Sequence, residues 1–567
     1  MSIFRTKSVE QSLRDTEDPE HQLKKSLSWV ELTMFGIGVV IGAGIFTMTG
    51  RVAHSMSGPS IIISFIIAAI ACGLAAMCYA EFASTVPVAG SAYTFSYASM
   101  GEIFAWIIGW DLFLELFLAS SVVAQGWSAY LAVFLSQLGI DLPPQIVSGG
   151  RFDLLAFGLI MVLGMLLIGG IKESVRVNTV LVAIKLFIVM FVIVAGIGYV
   201  KASNFTPFIP DKQPVESSGG LPPPLLQWFT GSQQTAFGVS GIVAGAALVF
   251  FAYIGFDVVA TTAEEAKNPK RDVPMGILGS LVVCTILYIA ISLVLIGMVP
   301  YNQLDPSASL AKAFTTVGKP WMAIIISAGA VAGLTTVVLT MMIGATRVIF
   351  AMSRDGLLPE GLSHVHPKTR TPYRITLIIM LADGLLAALV PPGILDEMVN
   401  IGTLLAFVMV SIGIIVLRRK RPDLPRAFRV PWVPVIPIVS AIICLYLMLN
   451  LSIETWMRFL IWMVIGIVVY FTYSKNHSRL AHGSELAADI NAEITNVMDH
   501  QYDTRRKARR AAAQSGATAS PEAAEPEPTA TESTDPPKES CSPAADRCGP
   551  VRRPGPHCCP ARACYSW

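Results

Sequence analysis

Two short stretches hold most of the chemistry in this sequence. The first, Gly36-Ile37-Gly38-Val39-Val40-Ile41-Gly42-Ala43-Gly44-Ile45-Phe46, sets four glycines within an otherwise apolar run. Each glycine weakens a helix by about 1 kcal/mol, so the spacing fits a local break. It fits equally well a close helix contact through small residues. The second, Phe250-Phe251-Ala252-Tyr253-Ile254-Gly255-Phe256-Asp257, again places a glycine and polar atoms inside an apolar run. In lipid, backbone groups freed by a break must find partners inside the protein or in a water-lined cavity. A break at mid-membrane therefore points to a polar ligand or to a packed interface. N–H groups opening the second half of a broken helix, with the positive dipole end beside them, bind a carboxylate. Carbonyls closing a first half bind an ammonium. One break of each sort recognises an α-amino acid zwitterion, and two interrupted spans are the pointer to a transporter's midplane site.

Other residues are candidates for chemistry singly. Lys185 lies about seven residues inside an apolar run, roughly 10 Å deep at 1.5 Å per residue. A charge at the centre of a bilayer costs at least about 2.5–3.5 kcal/mol, so Lys185 either snorkels to the membrane edge or has a function. Asp111 and Glu115 lie one helical turn apart and share a face; Glu115 reads as touching a substrate region, a proton path or a neighbouring helix. Asp383 has no obvious partner, and Glu264 and Glu265 are expected to pair with Arg or Lys. Val39-Val40-Ile41-Gly42-Ala43-Gly44 imitates a dinucleotide fingerprint but lacks the strand, the helix and the acid about 20 residues on that the motif needs. The sequence holds no HExxH, no Walker motif and no coupled Ser/His/Asp pattern, so no enzyme is expected. The terminal Cys541, Cys548, His557, Cys558 and Cys559 match no regular zinc spacing. Neither metal nor cofactor is expected.

The elements that must position these residues follow from composition. The 567 residues are 53% hydrophobic and 14% charged, against about 45–50% and about 25% for soluble proteins, and the mean hydropathy is +0.60. These values exclude a disordered protein and weigh against a soluble multidomain enzyme; a net charge of +2 gives no basic field for nucleic acid. A bilayer core needs about 20 apolar residues per helix. Twelve segments qualify, near 30–50, 60–80, 103–137, 153–170, 178–199, 241–263, 275–299, 321–352, 373–391, 396–417, 433–451 and 456–474. With the N-terminus inside, the Lys and Arg of short loops concentrate on the inner side, above all in Arg418-Arg419-Lys420-Arg421. This places both termini in the cytoplasm. Residues 1–29 read as a cytoplasmic arm without a signal peptide, and 475–567 as a tail that from 514 onward has the composition of disorder.

The two stretches, taken with Pro87-Val88-Ala89-Gly90-Ser91-Ala92-Tyr93 and Arg347-Val348-Ile349-Phe350-Ala351-Met352-Ser353-Arg354-Asp355-Gly356, carry a family likeness over about 24–474. The chain resembles the amino acid–polyamine–organocation (APC) transporters, in particular the bacterial relatives of the cationic amino acid transporters. The resemblance implies an all-α membrane protein of 12 transmembrane helices. Spans 1–10 (30–417) would form a five-plus-five inverted repeat working by alternating access, and 418–474 would add two helices. It implies a substrate carboxylate at Ala43 and Gly44, with Gly42 and Ile45 adjacent. It implies an ammonium at carbonyls near Ile41 and at Phe250, Ala252 and Tyr253, with Ile254 also at the substrate and Phe250 or a neighbouring aromatic as a gate. In sodium-coupled relatives of the fold an ion lies between spans 1 and 8, whereas a span 5 lysine takes that place in proton-coupled ones. Lys185 matches the latter. The expected function is proton-coupled symport of amino acids across the plasma membrane. Leu334 in Gly333-Leu334-Thr335-Thr336 favours neutral or broad specificity, while Glu115 keeps arginine or lysine open. A sensor signalling through the tail is the rival class.

Overall fold

The protein is described by a computed structural model. The described residues are 5, 27–86, 91–170, 175–214, 223–231, 235–263, 266–366 and 371–479. They all belong to the first of two compact units, Met1–Asn491; the second, Ala492–Trp567, lies outside them.

Helices dominate because the apolar runs are too long and too uniformly hydrophobic to form anything else in lipid. In chain order they are α1 (Trp29–Val40), α2 (Thr49–Val52), α3 (Ile61–Thr85), α4 (Ser91–Ser99), α5 (Glu102–Gln137), α6 (Leu154–Ile168), α7 (Val175–Ile197), α8 (Leu225–Thr230), α9 (Gly238–Val249), α10 (Val258–Thr261), α11 (Pro269–Met298), α12 (Ser309–Thr316), α13 (Pro320–Arg354), α14 (Tyr373–Leu389), α15 (Ile394–Lys420), α16 (Val435–Leu449) and α17 (Ile453–Val469). Two-residue strands β1 (Gln213–Pro214) and β2 (Thr235–Ala236) pair antiparallel in a loop. Among the described residues, eight helical segments are long and apolar enough to cross a membrane. Trp29–Val40, Leu154–Ile168 and Val435–Leu449 are shorter apolar helices. The outward faces are apolar too: Phe187, Val194, Ile442 and Ile461 are exposed, as lipid-facing side chains must be.

The longest helices, α5 and α13, pack along each other, and α11 packs on α1 and α3. Polar side chains tie the bundle where hydrophobicity cannot. Asp383 on α14, solitary in the sequence, accepts hydrogen bonds from Ser120 (2.5 Å) and Ser121 on α5. Four residues on, Gln125 donates to the carbonyls of Ala387 (3.0 Å) and Val390 (2.7 Å). At one end of the bundle the buried Glu81 of α3 receives Arg418 through two nitrogens, at 2.8 and 2.6 Å, and the Val430 N–H at 2.7 Å. At the other, Arg51 of α2 pairs with Asp396 in the first turn of α15.

Candidate functional site

Both stretches that open the sequence reading are broken helices. α1 ends at Val40, and the Ile41 N–H makes its last bond back to the Ile37 carbonyl at 2.8 Å. The backbone then turns through Ile41 and Gly42 and re-enters helix at Gly44–Met48 with a wide π turn. The opening N–H groups of a helix have no intrahelical acceptor, so the start at Ala43 and Gly44 presents donors. The carbonyls that follow have partners: Thr47 donates to Ala43 O (2.7 Å), and Tyr130 to Phe46 O (2.7 Å).

The second break is the complement of the first. α9 ends at Val249, tightens into a 3-10 turn over Phe250–Tyr253, and becomes extended at Ile254. Gly255 then takes φ +118, a region that only glycine enters without strain. Asp257 accepts the Gly255 N–H at 3.3 Å, and Asn400 on α15 donates to the released carbonyls of Ala247 (3.0 Å) and Leu248 (3.2 Å). The two breaks touch. A Cβ placed on Gly44 would stand 2.3 Å from Ala252 Cα, so only glycine permits the approach. Tyr288 on α11 braces them together. Its hydroxyl lies 2.6 Å from the Ala252 carbonyl oxygen and 2.9 Å from that of Val40, sharing one proton between the last carbonyls of two half-helices.

Between the breaks lies a hollow of about 260 Å³, lined by Val39, Val40, Gly42, Ala43, Gly44, Phe251 and Ile254 and closed by Ala119, Val123, Val337 and Met341. Water can enter about 10 Å³ of it, the room of about one molecule, so this conformation is contracted around its centre. A polar cavity with room for water of about 380 Å³ lies nearer the α12 end, lined in part by Ser136, Gln137, Asp305 and Lys312. Its Ser309 reaches the broken span, donating to Phe46 O at 3.3 Å.

Of the residues expected at the site, Gly42, Ala43, Gly44 and Ile254 line the hollow, Ile41 and Ile45 flank them in the chain, and Ala252 forms the contact with Gly44. Four of the expected residues have side chains that do not line the hollow. Phe250 turns away and packs edge-on against Phe407, 5.5 Å between centroids; its neighbour Phe251 faces the hollow, because a 3-10 turn rotates successive side chains by about a third of a turn. Tyr253 points to α3, donating to Phe65 O at 3.1 Å. Leu334 is buried but Val337 and Met341, one and two turns along α13, line the hollow. Glu115 is buried on α5 one turn before Ala119 and does not line it either.

Lys185 is buried and donates to the Gly38 carbonyl of α1 at 2.6 Å. Its stem lies over Gly333 of α13, where a Cβ would come within 2.9 Å of Lys185 Cγ. The lysine thus sits between the first broken span and α13 and does not snorkel. The expected pairings of Glu264 and Glu265, the 87–90 stretch and the terminal cysteines lie outside the described residues. Phe251 entered only as the aromatic neighbour allowed for Phe250, and sequence reasoning missed Tyr288, Asn400, Val337 and Met341. Only a polar residue inside an apolar helix marked Tyr288 and Asn400; nothing marked the rest.

The fold and this site define a polytopic helical membrane carrier, built to hold a small polar molecule on loosened backbone. The chain belongs to the amino acid permease family, which matches residues 27–471, within the APC superfamily. It is 48% identical over 490 residues to the branched-chain amino acid permease BcaP of Bacillus subtilis (strain 168), covering 84% of this chain and 99% of that protein. It is 44% identical over 485 residues to the methylthioribose transporter of the same organism, with the same coverage. It is 40% identical over 427 residues to the vacuolar cationic amino acid transporter 4 of Arabidopsis thaliana, covering 74% of this chain and 68% of that protein.

Proposed function

We propose that this permease carries neutral, apolar α-amino acids across the plasma membrane, coupled to protons, by alternating access of a five-plus-five inverted repeat within twelve spans, with both termini cytoplasmic. The observation that carries the reading is the hollow. Donor N–H groups at Ala43 and Gly44 suit a carboxylate. The carbonyl-rich turn at Phe250–Tyr253 suits an ammonium. The remaining wall (Val39, Val40, Ala119, Val123, Phe251, Val337, Met341) is apolar and holds no ionisable side chain, which suits a branched aliphatic side chain and penalises a cationic one. A relative of similar identity is a branched-chain amino acid permease. Lys185 supplies the proton step: protonated, it holds α7 against α1 through the Gly38 carbonyl; deprotonated, it releases them.

Purified protein in liposomes tests this with labelled leucine, alanine, arginine, lysine and methylthioribose, each with and without an imposed proton gradient. Leucine uptake accelerated by an inward gradient is expected. Preference for arginine or lysine establishes the cationic alternative, and uptake of methylthioribose alone overturns the zwitterion site. If Lys185→Ala takes up leucine with an unchanged response to the gradient, Lys185 is not the coupling group.

A further inference from the structure

Away from the hollow, the loop 421–434 that joins α15 to α16 gathers charge at the end of two rods. Residues 418–434 hold six cations and one acid. Four of the cations are engaged: Arg418 and Arg426 pair with Glu81, Arg421 pairs with Asp423, and Lys420 donates to Ser99 O at 3.2 Å. Arg419 and Arg429 are exposed and, among the described residues, in no ion pair. Beside them Trp432 is 81% exposed, more than any other large apolar side chain among the described residues.

The loop is built rather than slack. Arg418 donates to Val430 O at 3.0 Å while the Val430 N–H donates to Glu81 at 2.7 Å, so both backbone groups of the residue after Arg429 are held. Arg426 donates to the carbonyls of Arg421 at 2.6 Å and Leu424 at 3.1 Å. Trp432 stands at φ +46, a left-handed conformation that a bulky residue enters only at a cost and keeps only where its surroundings impose it. Its carbonyl accepts the Val435 N–H at 2.6 Å and so opens α16. A tryptophan at a membrane edge is an ordinary anchor and cations there an ordinary bias; here both are fixed on one frame.

The frame continues into the lipid. Ser411 on α15 donates to Ser440 on α16 at 3.0 Å, which sets the two rods side by side at that level. Arg419 and Trp432 each lie eight residues from that bond on the loop side. Eight residues span about 12 Å of helix, so the two stand at a similar height. Ile412, two turns from Arg419 on α15, is exposed, and so are Ile438 and Ile442 on α16. An apolar, lipid-facing track thus runs up to two unpaired guanidinium groups and a tryptophan. Guanidinium groups match phosphate through their paired N–H donors, and a phosphate that carries acyl chains matches the track as well.

We propose that this corner binds an anionic phospholipid of the surrounding bilayer, with its phosphate between Arg419 and Arg429, its glycerol against Trp432 and its acyl chains along Ile412, Ile438 and Ile442. Bound there, the lipid clamps the loop that Arg418 and Glu81 fasten to α3, and by favouring the folded state it stabilises the bundle. The inference stands apart from the substrate and coupling readings above.

Native mass spectrometry of the full chain in detergent tests it, with phosphatidylglycerol, phosphatidylcholine or inorganic phosphate added. Wild type is compared with Arg419→Gln/Arg429→Gln, with Trp432→Ala, and with Lys270→Gln/Arg271→Gln, which removes two exposed cations at the start of α11. A cation at an anionic lipid surface is worth about fivefold in affinity, so retention of phosphatidylglycerol should weaken about 25-fold in the first double variant. It should weaken less in Trp432→Ala and stay at the wild-type level in the α11 variant. Equal weakening in both double variants means a diffuse surface charge and overturns the site, as does equal retention of phosphatidylcholine or of free phosphate. Hydrogen exchange on wild type alone gives a second reading that needs no variant to fold. Phosphatidylglycerol should slow exchange over 418–435 more than over α17; equal or absent protection overturns the proposal.

Discussion

At Gly44 a single hydrogen atom decides whether two half-helices can meet. A Gly44→Ala methyl would fall on the Ala252 backbone, which cannot step aside as a flexible side chain can. Overpacking of this sort costs about 1–3 kcal/mol. Gly44→Ala should lower the thermal unfolding midpoint and abolish leucine uptake, whereas Gly73→Ala, whose Cβ meets only Leu281 Cδ2 at 3.8 Å, should do neither. Tyr288→Phe removes the shared donor from Val40 O and Ala252 O. Buried acceptors left unsatisfied cost about 1–3 kcal/mol, so this variant should melt earlier and bind leucine more weakly. Wild-type melting together with wild-type affinity would show that the brace is dispensable.

At the scale of elements, the ends of the bundle are held by charge where its middle is held by shape. Glu81 is fully buried and Arg418 is 26% exposed, at 2.6 Å. Breaking a buried pair by removing one partner costs about 3–5 kcal/mol; the partial exposure of Arg418 places Arg418→Met toward the lower end. The double variant with Glu81→Gln should recover little of the loss in a detergent thermal melt, because Arg426, 6% exposed and 3.5 Å from Glu81, is then left as a buried charge without its partner. The loop before α12 shows the opposite case. Burial pushes the Asp305 carboxyl up, but the Lys312 ammonium at 2.5 Å and the Ser307 hydroxyl and N–H outweigh it and hold it below the usual carboxylate range. A depressed folded pKa gives stability that is present above the unfolded value, about 3.9, and is lost as pH falls through the folded one. Hydrogen exchange at the Ser307 N–H should therefore be insensitive to Asp305 titration between pH 5 and 8 and accelerate only in stronger acid, so any pH response of transport near neutrality arises elsewhere.

At the scale of the whole molecule, the family match ends at residue 471, but the contacts of the fold run slightly further. Glu102, buried at the start of α5, accepts hydrogen bonds from Tyr97 (3.2 Å), Tyr470 (3.1 Å) and Ser478 (2.6 Å), and Ser474 donates to Leu357 O at 2.6 Å. Truncation after Arg479 should leave leucine uptake in liposomes within about twofold of the full chain, a change below about 0.5 kcal/mol in barrier. Truncation after Val469 strips donors from buried Glu102 and should reduce folded yield and melting temperature. Loss of uptake on removing 480–567 alone would favour the sensor reading, in which the tail participates.

Much of this molecule was legible in residue order because helices in lipid are a local matter. Length and hydropathy determine where an apolar run is helical, and clustered glycines beside polar groups determine where it breaks; hence α1 and α9 end within a few residues of the expected positions, and Lys185 declared itself by its depth. What residue order left undecided is rotation. A break at Phe250–Tyr253 does not say which aromatic faces the hollow, and the 3-10 turn set against Phe407 selected Phe251. A long apolar α13 does not say which turn meets the breaks, and its packing along α5 selected Val337 and Met341 over Leu334. Asp383 had no partner in sequence because its serines lie more than 260 positions away, and Tyr288 became the brace only once α11 was laid across both half-helices. Local backbone propensity fixes the ends of each rod; contacts between distant rods fix which side chains turn inward, and those contacts exist only in three dimensions.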